Sequence, residues 1–137
     1  MNPAETITTV MRAFADRDLD TVFGHIADDA VVQMPYETRH GYGTLDKAGL
    51  RAVMELLLSM YDRFDIEFER LLALSDDRGV VAEYRSDAVL AGSGVPYRNR
   101  YCGVFLFTDG KISHWREYDD PTVVDDAMAA HAAALST

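Results

Sequence analysis

The chain carries a single cysteine, Cys102, so no intrachain disulfide can form, and a zinc site built from several thiolates is excluded. Between Tyr101 and Gly103 on a strand, that cysteine reads as a small buried hydrophobe; no adjacent base is visible to make it a nucleophile. Basic residues are scarce, with 13 Lys plus Arg against 23 Asp plus Glu and a net charge of −10. Such a field repels phosphate backbones, so nucleic acid and anionic membranes are poor partners. Arg98 and Arg100 are too few to make a basic patch. No apolar run is long enough to span a bilayer, and the N-terminus lacks the basic-then-apolar pattern of a secretory signal. These absences predict a soluble, cytoplasmic protein. There is neither a glycine-rich phosphate loop nor a His/carboxylate spacing suited to a metal, so no cofactor is expected.

What is present suits one domain, residues 1–137, with a real core: hydrophobic residues make up 48% of the 137 and argue against disorder. The first half reads as helical. Asn2-Pro3-Ala4-Glu5 is a helix start, and Ile7, Val10, Met11 and Phe14 recur at helical spacing to about Ala15. Asp18 can cap a short helix carrying Leu19, Val22, Phe23 and Ile26. Ala30 to Met34 reads as a short strand stopped by Pro35, and Tyr36 to Thr44 as a loop. Asp46 caps a third helix reaching about Met60. The second half alternates instead. Phe64, Ile66 and Phe68 begin a strand running to about Leu74, Asp76 to Gly79 make a turn, and Val80 to Leu90 form a second long strand. Asp120-Pro121 starts an alanine-rich helix at the C-terminus.

The segment from Pro96 to Pro121 is the most informative. It reads as two long strands joined by Asp109-Gly110, a strong hairpin signal. One face carries Tyr97, Asn99, Tyr101, Phe105 and Phe107, then Trp115, Glu117 and Asp119 across the turn. Aromatics beside a carboxylate on one sheet face make either a mixed core or a ligand pocket. Helices followed by antiparallel strands are the α+β pattern. A curved antiparallel sheet wrapped around the N-terminal helices gives a cone with an apolar interior and a polar rim.

Helix–helix–strand–helix followed by four long strands resembles the NTF2-like superfamily. Within it, Val104-Phe105, Asp109-Gly110-Lys111-Ile112 and Trp115-Arg116-Glu117-Tyr118 resemble the SnoaL-like branch. That branch holds polyketide cyclases, limonene-epoxide hydrolases and phenazine-biosynthesis A/B proteins, with steroid Δ-isomerases as more distant members. The resemblance implies the cone fold; its activities are many. The positions used by steroid isomerases fall at Met34, Val10 and Gly103, none of which carries the required side chain. The epoxide-hydrolase Glu-Arg-x-Asp motif falls on Glu83-Tyr84-Arg85-Ser86. Sliding it by one recovers Arg85 and Asp87, which lie on the opposite strand face unless a β-bulge intervenes. The residues that would position the water become Gln33 and Val31, while the other carboxylate of that relay falls at Glu117. Arg116-Glu117-Tyr118 also matches the phenazine-type glutamate. The resemblance implies an acid/base role for it, assisted by a histidine for which His40 and His114 are the candidates.

Glu117 is therefore the catalytic candidate. A carboxylate beside tryptophan in a dry cone should have a raised pKa; the alternative is a structural carboxylate bonded to Tyr101 or Asn99. Trp115, Tyr101, Asn99, Tyr84, Tyr36 and His40 are candidate substrate-binding residues, each with a plainer reading. Tyr84 and Trp115 can simply fill the core, Asn99 and Tyr101 can satisfy only Glu117, and His40 can be a solvated loop residue. Asp119 reads as a solvated rim residue or a helix cap. The expected activity is cofactor-independent acid/base chemistry (isomerisation, cyclisation or dehydration) on a small apolar or aromatic carbonyl compound. An epoxide hydrolase, or a non-catalytic ligand-binding or assembly protein, is the alternative. The outer sheet face, where Val81, Val89, Cys102, Val104 and Leu106 interleave with charges, predicts a homodimer.

Overall fold

The computed structural model describes residues 1–37 and 43–136. Helix α1 (Pro3–Ala15) begins with the expected capping box. Asn2 accepts the Glu5 backbone N–H at 2.9 Å, and the Glu5 carboxylate accepts that of Asn2. Asp18 caps α2 (Leu19–Gly24) through the Thr21 N–H, and Asp46 caps α3 (Lys47–Met60) through the Gly49 N–H at 2.7 Å. Asp120 caps the last helix, α4 (Pro121–Leu135).

Among the described residues seven strands form one sheet: β1 (Ile26–Gln33), β2 (Thr44–Leu45), β3 (Tyr61–Ala73), β4 (Gly79–Leu90), β5 (Pro96–Tyr97), β6 (Arg100–Thr108) and β7 (Lys111–Asp119). Their order is β2-β1-β7-β6-β4-β3, with β5 beside β4. The sheet is curled into a half-barrel around the helices, an α+β architecture. Register shifts within β3–β4 and β6–β7 mark bulges, which bend strands and add twist. The core lies between the concave face and the helices, where Ile7, Val10, Val22, Leu50, Phe105 and Ile112 are buried. No helix among the described residues is long and apolar enough to cross a membrane.

Four details depart from the sequence reading. First, β1 starts at Ile26, not Ala30, and pairs parallel to β7, the one parallel ladder in the sheet. Asp28 and Asp29, poor strand formers, conceal its first half. Second, Thr44, expected in a loop, pairs with Gln33 in β2. Third, β3 starts at Tyr61 directly out of α3. Arg17 makes that abrupt junction possible by donating to the carbonyls of Leu58 at 2.6 Å and Tyr61 at 2.5 Å. Fourth, the long arm expected from Pro96 is interrupted at Arg98–Asn99. At the hairpin tip Asp109 and Gly110 both have positive φ, 51° and 78°, as a type I′ turn requires.

Candidate active site

The concave face of the sheet does not meet the helices everywhere. A cavity of about 260 Å³ remains, walled by Met11 and Phe14 of α1, by Leu50, Met54 and Leu57 of α3, and by Val124 and Met128 of α4. The sheet supplies Phe64, Ile66, Tyr84, Tyr97, Tyr101, Trp115, Glu117 and Asp119. Leu56, a half-exposed lining residue, shows that the space opens to solvent beside α3. Five of the six methionines (Met11, Met34, Met54, Met60 and Met128) line it, giving a soft and polarisable wall.

Strand periodicity places Trp115, Glu117 and Asp119 of β7 on this face, and the β6–β7 register sets Gly103 opposite Glu117. That glycine matters. A Cβ there would lie 2.5 Å from the Phe105 ring and 3.2 Å from the Tyr84 hydroxyl. Its absence lets the Tyr84 side chain cross from β4 and donate its hydroxyl hydrogen to Glu117 Oε1. Tyr84 itself stacks on Tyr101, with ring centroids 5.1 Å apart and planes at 12°.

Burial raises the Glu117 pKa to about 7, and the charge of Asp119 adds to the shift. The Tyr84 hydroxyl and the Trp115 indole N–H pull the other way. The indole nitrogen is nonetheless buried without a well-formed hydrogen bond. Burial, then the charges of Glu37 and Asp120, raise Asp119 to about 6. The cavity thus holds a carboxyl able to be acid or base near neutrality, with a second carboxyl two residues away.

Of the candidate residues, Glu117, Trp115, Tyr84 and Tyr101 come together around this space. The Tyr101 hydroxyl lies 3.0 Å from both Ser86 Oγ and the Tyr97 hydroxyl. Asn99 stands behind the wall and is consumed by structure. Its amide donates to the Tyr97 hydroxyl at 2.8 Å and the Asp120 carbonyl at 3.0 Å, while its Oδ1 accepts the Arg100 and Asp120 N–H groups. Tyr36 is 55% exposed and packs edge-on against Tyr118 rather than lining the cavity. His40 lies outside the described residues. His114 and Arg116 both reach Gln33 Oε1, on the other face of β7 from Glu117.

The hydrolase alternative required Arg85 and Asp87 to face Glu117, and they do not. Arg85 pairs with Glu67 at 3.0 Å and Asp87 with Arg98 and Arg63, all on the outer face. The sequence reading puts Asp119 on the face of Glu117 but takes it for a solvated rim residue or a cap; Asp119 lines the cavity, and Asp120 beside it is the cap. That reading also missed Glu37 and the methionine wall. Among the described residues no group of three or more His, Cys, Asp or Glu is placed to hold a metal ion.

The model of the SnoaL-like domain family matches residues 7–115. The chain belongs to that family. Its SnoaL-like relatives include epoxide hydrolase EphG of Mycobacterium tuberculosis, 33% identical over 118 residues covering 83% of this chain and 70% of EphG. Among solved structures, an M. tuberculosis epoxide hydrolase of the limonene-epoxide type superposes with a TM-score of 0.69 at 25% identity, covering 98% of this chain and 94% of that one. IdmH of Streptomyces antibioticus, described as a candidate polyketide cyclase, superposes with a TM-score of 0.80 at 18% identity, covering 94% and 99%. The last likeness is one of fold. This SnoaL-like chain therefore has an epoxide hydrolase among its relatives and shares its fold with a structure described as a candidate polyketide cyclase, and the fold itself selects neither chemistry.

Proposed function

We propose that this SnoaL-like protein catalyses cofactor-independent proton transfer on a small, mostly apolar carbonyl compound, as in isomerisation, cyclisation or dehydration. Glu117 moves the proton, and Tyr84 holds the carboxyl in place. The observation that carries this reading is the Glu117 carboxyl bordering an apolar cavity, desolvated so that it changes protonation near pH 7. A purely structural carboxylate would have its hydrogen bonds closed and no space before it. Epoxide opening through a carboxylate–arginine–carboxylate relay is disfavoured, since no arginine lines the cavity among the described residues.

The test does not need the natural substrate. With 1-tetralone as probe in D₂O, the protein should incorporate deuterium at the carbon next to the carbonyl. Glu117→Gln should slow this by about 100-fold or more, the usual scale of a lost general base. Incorporation at the wild-type rate in that variant would end the proposal. A thermal-shift screen of steroid, polyketide and epoxide ligands would then name the natural class by which one raises the melting temperature.

Pairing of two copies through the outer sheet face belongs to the same proposal. The strand register places Leu72, Val81 and Val104 in one row across β3, β4 and β6, with Leu106 and Val31 beside it. That row carries apolar side chains, and ion pairs follow it along the face, Arg70–Glu83 in the next row and Glu67–Arg85 beyond.

A further inference from the structure

Three carboxyls, Glu37, Glu117 and Asp119, line the cavity, and among the described residues no Lys, Arg or His does. Carboxylates taken out of water are normally paired with a cation. Glu117 is partly provided for by the Tyr84 hydroxyl, which donates to it. Asp119 is not: among the described residues no side chain donates a hydrogen bond to its carboxylate, which is half-buried at the end of β7. After burial, the charge of Glu37 is what most raises its pKa, so the two carboxyls lie near each other. Glu37 Oε1 is itself buried without a hydrogen bond among those residues. One end of the cavity thus holds two carboxylates and no counter-charge.

The wall at that end is aromatic. Burial first, then the charges of Tyr61 and Asp119, push the Tyr97 hydroxyl above its ordinary pKa, which sets Asp119 close to Tyr97. Tyr97 clusters with Tyr61 and Phe64, ring centroids 5.0, 5.8 and 6.2 Å apart, and all three line the cavity. Ring faces carry partial negative charge and attract cations, most strongly where water is excluded. A carboxylate beside such rings suits an alkylammonium group, whereas an anion would meet only like charge there.

We propose that Asp119, with Glu37 beside it, anchors a protonated amine carried on an apolar frame, so that the cavity takes an amphiphilic amine. The inference rests on the reading above only in taking this cavity as the substrate site, and it adds an amine to the compound named there. Two residues along a strand span about 7 Å, so an amine held at Asp119 leaves Glu117 facing a part of the ligand about one ring away. The net charge of −10 on the chain draws such a ligand in and repels an anionic one.

Calorimetry with two probes of one shape decides the matter: 2-aminotetralin, which is protonated near neutral pH, and tetralin, which has no nitrogen. The amine should bind about tenfold more tightly. At about pH 6.5 Asp119 and Glu117 are both partly protonated, and a bound ammonium should expel part of that proton. Heats measured in buffers of unlike ionisation enthalpy should therefore show about half a proton released per amine bound, and none for tetralin. Asp119→Asn keeps the shape and removes the charge, so the advantage of the amine should shrink to about threefold or less while tetralin binds as before. If that variant does not fold, proton release by the wild type decides alone. An amine that binds no tighter than tetralin, releases no proton, or keeps its full advantage in Asp119→Asn overturns the inference. Glu117-dependent deuterium incorporation would then still leave the acid/base reading standing. Tight amine binding without that incorporation would keep the anchor and end the acid/base reading alone.

Discussion

Glu117 and Asp119 are two carboxyls whose protonation the fold itself controls. Both have folded-state pKa values raised by burial, Glu117 from 4.5 to about 7 and Asp119 from 3.8 to about 6. The folded state therefore binds protons more tightly than the unfolded chain, so stability is full below about pH 4 and falls as pH rises through these values. For Glu117 the loss is on the order of 3 kcal/mol and is complete a little above pH 7. A glutamine at 117 keeps an oxygen for Tyr84 and removes the ionisation. Melting curves from pH 4 to 8 should fall for wild type across the whole interval. For Glu117→Gln they should flatten above about pH 6, where the Asp119 contribution ends, and the variant should melt at or above wild type at pH 8. Parallel curves would show that Glu117 is not desolvated. The inward direction of Glu117 was legible from alternation with Trp115 alone. The Asp119 role was not, since alternation gives its face but not the burial at the end of β7 that makes it a cavity residue rather than a solvated rim one.

At the level of elements, the helix starts were plain in sequence because capping is local chemistry: Asn2, Asp18, Asp46 and Asp120 each bond a backbone N–H two or three residues ahead. The break between β5 and β6 was hidden because it depends on distant partners. The Ser86 hydroxyl accepts the Asn99 N–H at 3.1 Å, and the Asn99 side chain ties Tyr97 to the start of α4. Asn99 thus sits on the cavity face by alternation yet serves the backbone. Asn99→Ala should cost about 1–3 kcal/mol through the groups it leaves unpaired, read as a melting temperature lower by several degrees. Tetralone affinity of the folded fraction should hardly change. Lost affinity with an unchanged melting temperature would show instead that Asn99 reaches the ligand. The parallel β1–β7 ladder was equally out of reach, because β7 lies far along the chain and nothing local to Asp28-Asp29 announces it.

Taken whole, the molecule presents two unlike sheet faces. The concave one holds the cavity, and its alternation with the convex one was readable along β4 and β6. Outside, Leu72 is 44% and Leu106 36% exposed, close to Val81 and Val104 in the cross-strand rows, whereas Glu67–Arg85 and Glu83–Arg70 pair across the strands further along. Exposed ion pairs such as these contribute little to stability and leave the apolar end as the part of this face that gains from being covered. A second copy covering it must bring a net charge of −10 toward an equal one, so added salt should strengthen the pair by screening that repulsion. Val104→Glu would place a charge in the centre of the row, where burial without a partner is costly. Light scattering should report dimers for wild type, tighter at about 0.5 M salt than at low salt, where the Debye length is longer. It should report monomers for Val104→Glu, with the Trp115 indole signal unchanged because the substitution lies on the far side of the sheet. Dimers of undiminished affinity in the variant would place the contact elsewhere, and a wild-type monomer at every salt concentration would leave the outer face uncovered.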